Sequence, residues 1–327
     1  MSSSPARQGR VAVVGAGPAG MAAALSLHQA GHQVLLLGRY PQARAAGNIL
    51  NLWPPPIKAL SMLGVDTSDL GAPCESQFRR SDGRVRCTVR LPADVIRDYS
   101  GGFIGLLRPE LYERMAAALP PGMLRANRAV ELLEQDARSA RLHLSDGTVE
   151  EADGDGHAAA ARLAADFAAP LPQLVAATDP DNIQRWVLRD REPLKRWSRG
   201  RVTLAGDAAH ATSPYAAYGA GMAIEDGYFL GRRLAGLDLT DYAAVQAALD
   251  AYETPRRPHT ARQTQQAWIL GKVFHHAPAP LRPVRDLILD HTPLLQKVVG
   301  ESSPREIISQ LDDITEAEKP FRASLPH

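Results

Sequence analysis

Apolar positions along this chain switch between two periods, and the switches mark out its elements. Val11-Ala-Val-Val14 is a continuous apolar run of strand length, which suits a parallel strand buried on both faces. Ala19 to Ala30 follows as an alanine-rich helix stopped by Gly31, and Val34-Leu-Leu-Leu37 supplies a second strand, completing a βαβ unit. Ile57 to Leu63 reads as a helix ended by Gly64, and Phe78 to Leu91 alternates about Ser81-Asp-Gly83 as a hairpin. Arg108 to Leu119 has apolar residues at helical spacing, closed by Pro120-Pro121-Gly122. Ala129 to Val149 predicts two or three antiparallel strands turned by Ser145-Asp-Gly147. A loop over Glu151 to Gly156 leads into an alanine-rich helix from His157, then strands at Ile183 to Leu188 and Val202 to Leu204. A helix begins near Gly219, and from Ala223 onward the chain is nearly all helix, punctuated by Pro255, Pro258 and Ala277-Pro-Ala-Pro280.

Two glycine turns sit where these periods change. Gly15, Gly17 and Gly20, with Pro18 and Ala19 between them, form G-x-G-x-x-G after a strand and before a helix, the setting in which backbone amides receive a pyrophosphate. Far downstream, Val202-Thr-Leu-Ala-Gly-Asp207 runs from a short apolar strand into a second turn, and a helix follows at Gly219. A carboxylate there can accept hydrogen bonds from a polyol, and the helix start can offer amides to an electron-rich ring. One extended dinucleotide, FAD, needs both turns; a nicotinamide domain alone leaves the second unexplained. The first motif departs from pattern where an acidic residue should meet the adenosine ribose. Gly38 stands there, followed by Arg39, which either stacks on adenine or reaches a phosphate, or is a solvated surface arginine.

With these segments in view, the chain resembles the FAD-dependent aromatic hydroxylases, the single-component (group A) flavoprotein monooxygenases. Arg44-Ala-Ala-Gly47 through Asn51-Leu-Trp-Pro54 is similar to the loop that lies along the flavin, and Leu107-Arg108-Pro-Glu-Leu111 to the arginine-headed helix whose arginine contacts the cofactor. Gly206-Asp-Ala-Ala-His210, Pro214 and Gly219-Ala-Gly-Met-Ala-Ile-Glu-Asp226 resemble the second FAD motif, and Tyr252-Glu253 with Arg256-Arg-Pro258 the helix after it. The resemblance implies that Asp207 holds the ribityl chain and that amides near Gly219, Ala220 and Gly221 face the pyrimidine edge. It implies an α/β, Rossmann-like FAD-binding fold, three-layered, with a parallel sheet, an antiparallel β meander and a long C-terminal helical segment. The implied chemistry is hydroxylation of an aromatic or polyketide-like small molecule with NAD(P)H as transient reductant and O2. No side chain is singled out as acid, base or nucleophile, and His210 reads as a packed structural histidine.

The resemblance also exposes a gap. Relatives in the family carry a large substrate-covering β-sheet after an Asp-Gly signature; here Asp153-Gly154-Asp155-Gly156 leads straight into helix-like sequence. The expected layout is a disordered leader over 1–9, a first part of the FAD domain over 10–153 with a residual substrate-side hairpin near 74–105, and a connector at 154–156 in place of the sheet. A second part follows over 157–236, then a C-terminal helical region over 237–327. Without a cover the flavin is wetted, and oxygen reduction then releases hydrogen peroxide instead of product. Impaired coupling is therefore expected, with a non-hydroxylating flavin scaffold or an uncoupled NAD(P)H oxidase as the alternative.

Composition narrows the remaining classes. At 327 residues with 45% hydrophobic and 22% charged residues, the chain reads as an ordinary globular protein. A net charge of +1 argues against nucleic acid or anionic membrane as partner. Two cysteines, Cys74 and Cys87, make neither a disulfide framework nor a metal site and read as buried free thiols beside the hairpin. His275-His276 lacks acidic or thiol partners at ligand spacing, so no metal is expected. Arg189-Asp-Arg191 and Arg256-Arg257 read as exposed ion pairs or helix caps. No apolar run approaches the roughly 20 residues needed to cross a bilayer, so a cytoplasmic location is expected, with self-association through the C-terminal helices.

Overall fold

A computed structural model describes residues 10–40, 49–99, 102–136, 140–145, 167–178 and 191–324. In chain order the elements begin with β1 (Arg10–Val14), α1 (Pro18–Gln29), β2 (Gln33–Leu37), β3 (Ile49–Leu52), α2 (Pro54–Met62), β4 (Ala72–Cys74), β5 (Ser76–Arg79) and β6 (Val85–Val89). There follow α3 (Ala93–Asp98), β7 (Phe103–Leu107), α4 (Arg108–Ala118), β8 (Leu124–Arg125), β9 (Ala129–Gln135), β10 (Ala140–Ser145) and α5 (Leu171–Ala177). The remainder is helical: α6 (Asp207–His210), α7 (Gly219–Leu234), α8 (Tyr242–His275), α9 (Arg282–His291) and α10 (Ser302–Ser324).

The expected βαβ unit is present. β1 and β2 pair in parallel from Arg10↔Gln33 to Val14↔Leu37, and β8 extends the sheet beyond β2. β3, β7 and β4 form an antiparallel sheet, and β5–β6 is the expected hairpin. The fold is thus mixed α/β with a Rossmann-type parallel sheet, antiparallel sheets and a helical C-terminal segment. The leader over 1–9, the connector at 154–156, the helix from His157 and the strand at Ile183 to Leu188 lie outside the described residues.

Helix α7 is pressed against α1 through glycines. A Cβ on Gly227 would run into the Ala23 backbone and the Ala19 carbonyl, and one on Gly231 into Ser26. Only the missing side chains let the two backbones approach this closely. Around this crossing lies the larger core, including Met21, Leu27, Leu36, Leu60, Leu111, Ile224 and Tyr228. A second core forms where the β5–β6 hairpin and β7 meet the C-terminal helices: Cys87, Val89 and Phe103 pack with Leu289, Leu295 and Val299. The C-terminal region therefore covers both the dinucleotide unit, through α10 on α2 and α7, and the hairpin.

Several expectations need correction. β1 is buried on one face only, with Ala12 and Val14 exposed, because Val11 and Val13 alone face the core. β9 and β10 pair antiparallel from Ala140↔Gln135 to Ser145↔Ala129, and the expected turn at Ser145-Asp-Gly147 runs into residues outside the described ones. Val202 to Leu204 is no strand: it has a single bridge, Arg199↔Val202, and among the described residues finds no neighbour to ladder with. Helix α2 begins at Pro54, ahead of Ile57, because prolines in a first turn forgo N–H groups that lack intrahelical partners anyway. Pro255 and Pro258 do not break α8, which runs through both. Set three apart, they place their defects on one face, while Tyr252, Arg256 and His259 remain buried and anchor the helix. Of the two thiols, Cys87 is buried and Cys74 only half-buried.

Candidate cofactor site

The two glycine turns meet. Gly206 packs against the first turn of α1, where a Cβ on it would stand 2.8 Å from the Ala19 Cβ and 3.2 Å from the Ala223 Cβ. Its φ of 59° lies in the left-handed region that glycine adopts without strain. The turn that ends in Asp207 is thus seated on the helix that Gly17, Pro18, Ala19 and Gly20 open.

Each candidate side chain has a definite setting. Gly15 ends β1 with its N–H donating to the Leu37 carbonyl at 2.8 Å, Gly17 caps α1, and Gly20 closes onto the Gly15 backbone. Arg108 opens α4 and donates to the Tyr112 hydroxyl at 2.9 Å; that hydroxyl lies 3.8 Å from where a Gly17 Cβ would be. Asp207 is the exposed first residue of α6, and among the described residues its carboxylate makes no hydrogen bond. Gly219, Ala220 and Gly221 form the first turn of α7, with open space where a Gly219 Cβ would be. Pro214 opens an exposed short helical turn just ahead. Arg39 is exposed after β2 and turned over the Tyr40 ring, 5.9 Å from its centroid. Gly38 has a packing reason: a Cβ there would be 3.1 Å from the Ala16 Cβ inside the glycine loop. Arg44 lies outside the described residues.

Trp53, which caps α2, stacks on Tyr218 with ring centroids 4.3 Å apart, and Pro56 borders Gly221. The start of α2 thereby lies beside the helix start that the second motif provides. His210 is buried and its Nε2 bonds Asp226 Oδ2 at 2.6 Å, as a structural histidine should. Its Nδ1 and the nearby Ser213 Oγ are buried without partners among the described residues.

Arg256 overturns its expectation. It is buried, with Nε 2.8 Å from Asp226 Oδ1 and Nη1 2.9 Å from Glu225 Oε2. Burial pushes the Asp226 carboxyl up, but the His210 and Arg256 partners outweigh it and hold the pKa down at about 2. Arg257 is half-buried and Arg191 exposed, and both bond backbone carbonyls, the latter that of Ala208 at 2.6 Å. A signal for the buried cluster was present: two adjacent carboxylates in an otherwise apolar stretch of helix, Met222 to Leu230, require a buried cation.

The residues fit an extended dinucleotide. Glycine-lined backbone at the first turn, two helix starts and the unengaged Asp207 carboxylate are brought near one another by the Gly206–Ala19 contact. Fold and site together define an FAD-binding protein of Rossmann type.

Comparison with known proteins carries this further. One family model, described as "Pyridine nucleotide-disulphide oxidoreductase", matches residues 9–108, and another, "FAD binding domain", matches 128–267. A 6-hydroxynicotinate 3-monooxygenase from Bordetella bronchiseptica is 26% identical over 344 aligned positions, covering 77% of this chain and 89% of that protein. A 3-hydroxybenzoate 6-hydroxylase from Klebsiella oxytoca is 41% identical over 109 residues, 33% of this chain and 26% of that one. Among solved structures, Klebsiella pneumoniae HpxO complexed with FAD and uric acid shares the fold, with a TM-score of 0.73 at 22% identity and coverage of 95% and 98%. These comparisons make the chain similar to FAD-dependent aromatic monooxygenases and hydroxylases, with which it shares its fold. The 344-position alignment is longer than the 327-residue chain, so the Bordetella relative carries segments that this chain lacks.

Proposed function

We propose that the chain is an FAD-dependent monooxygenase that uses NAD(P)H and O2 to hydroxylate an aromatic small molecule. The observation that carries this reading is the seating of Gly206 on Ala19, which brings two remote nucleotide turns together. There the amides of the Gly15–Gly20 turn and the start of α1 receive the pyrophosphate, and Asp207 accepts hydrogen bonds from the ribityl hydroxyls. The Gly219–Gly221 amides meet the pyrimidine edge, with Pro214 beside them. Arg108, held by Tyr112, contributes positive charge next to Gly17, Arg39 is a further cofactor contact, and the resemblance of its loop gives Arg44 the same role. When bound, FAD supplies hydride acceptance and oxygen activation; the chain supplies positioning and exclusion of water.

Exclusion of water is where this chain departs from its relatives. The shorter span supports a reduced substrate cover, with the connector at 154–156 replacing most of a sheet and the β5–β6 hairpin as its remnant. Exposed Ile49 and Leu107, 77% and 58% accessible on β3 and β7, fit a surface that such a cover protects. Coupling is accordingly weak, and an uncoupled NAD(P)H oxidase is the second reading. Need for NAD(P)H supports a cytoplasmic setting; among the described residues no helix is long and apolar enough to cross a membrane. Exposed Val284, Leu287 and Ile288 on α9 support self-association.

Titration of purified protein with FAD tests the cofactor reading, and NAD(P)H oxidation measured against hydroxylated product and hydrogen peroxide tests the chemistry. Failure to bind FAD sinks the proposal. Peroxide in place of product leaves the uncoupled oxidase.

A further inference from the structure

Glu225 and Asp226 are adjacent, fully buried and otherwise surrounded by apolar neighbours on α7. Carboxylates so placed are stable only with buried partners. Arg256 bridges them, and its guanidinium is itself fixed by the Gln310 side chain at 2.9 Å and the Met222 carbonyl at 3.2 Å. From this clamp the two carboxylates reach different parts of the cleft. Asp226 Oδ2 accepts the Gly206 N–H at 2.9 Å along with His210 Nε2. Glu225 accepts the Tyr218 hydroxyl, and Tyr218 stacks on Trp53.

The turn at Gly206 needs such a tether. Helix α6 is four residues long, too short to hold itself, and its capping residue sits at φ 59° and ψ −141°. The Asp207 carboxylate has no fixing bond of its own among the described residues, so its direction follows from the backbone that Gly206 sets. We propose that Asp226, held by Arg256, is a positioning residue for the cofactor: it clamps the Gly206 amide so that Asp207 faces the cleft. This rests on the FAD reading, and it adds a buried residue that touches no part of the ligand.

The test compares the unmodified full chain with Asp226→Asn, Arg256→Lys and Glu318→Gln. Glu318 is a control: it bonds Arg232 at 3.0 Å and Tyr228 at 2.8 Å in the same helix α7 but does not reach the turn. Losing a charge-assisted bond predicts that Asp226→Asn raises the FAD Kd about tenfold, with a smaller rise for Arg256→Lys. Glu318→Gln should lower the melting temperature without moving the Kd. Amide hydrogen exchange over residues 204–212, measured without FAD, should accelerate in the first two variants and not in the control. Unchanged exchange there, or equal acceleration in all three, overturns the proposal. Should Asp226→Asn fail to fold, Arg256→Lys carries both readouts. If the unmodified chain binds no FAD, the cofactor reading falls, while exchange still decides whether Asp226 holds the turn.

Discussion

The core beneath the cofactor cleft and the core beneath the β5–β6 hairpin are stabilised in different ways. In the first, backbones touch: Gly227 and Gly231 admit α1 against α7, and the buried Arg232 finishes the contact by donating to Ser26 and Gln29. In the second, side chains do the filling, with Val89, Phe103, Leu289 and Val299 in the middle. Its ions stand at the rim, where Arg86 reaches Asp290 at 2.6 Å and Asp286 at 2.9 Å. Close backbone contact admits one residue type at each position, whereas apolar filling tolerates many combinations. That is why one half of the molecule leaves motifs and the other does not.

The contrast can be broken most forcefully at α7. Gly231→Val should cost about 3 kcal/mol or prevent folding, because overpacking here pushes on backbone; urea denaturation and soluble yield read the effect. A mild phenotype would mean the helices can part and the two cores are not so different. Next, Arg86→Ala should lower the urea midpoint, since it leaves Asp290 with Arg80 as its remaining partner at the rim, and FAD affinity should stay unchanged. Coupled loss of affinity would merge the two cores into one.

Acid sharpens the comparison further. Asp226 has its folded pKa depressed to about 2 from 3.8. Its contribution is therefore complete above about pH 4 and is lost as pH falls through 2, about 2 kcal/mol in all. Stability measured from pH 6 to pH 2 should fall across this window, and Asp226→Asn should lack that component of the fall. The smallest effect is expected in the second core, where Cys87→Ser should cost about 1 kcal/mol by burying a hydroxyl among apolar neighbours; its thermal midpoint provides the check.

Sequence pattern made the cleft half legible. Gly15 to Gly20, the helix from Arg108 and the helix from Gly219 carry constraints at fixed spacing, and each stands where those constraints require. Gly38 was legible as a departure but not as a packing contact with Ala16, since that contact joins a strand end to a loop. Arg256 was misread as exposed because its partners lie thirty residues away on another helix. The Val202 strand failed for a related reason: a strand needs a neighbour, and no local pattern reports whether one is within reach. Pro255 and Pro258 looked like breaks because local rules ignore what anchors the rest of a helix.

The Arg86–Asp290 contact spans 204 residues of chain. During synthesis the hairpin emerges long before α9, so for most of translation the undersides of Cys87 and Val89 have nothing to rest on. Long-range closures of this kind come late and leave apolar surface open meanwhile. Helices made some two hundred residues later are thus the ones that complete the hairpin's core, and cutting the chain before residue 282 would leave the hairpin without its floor.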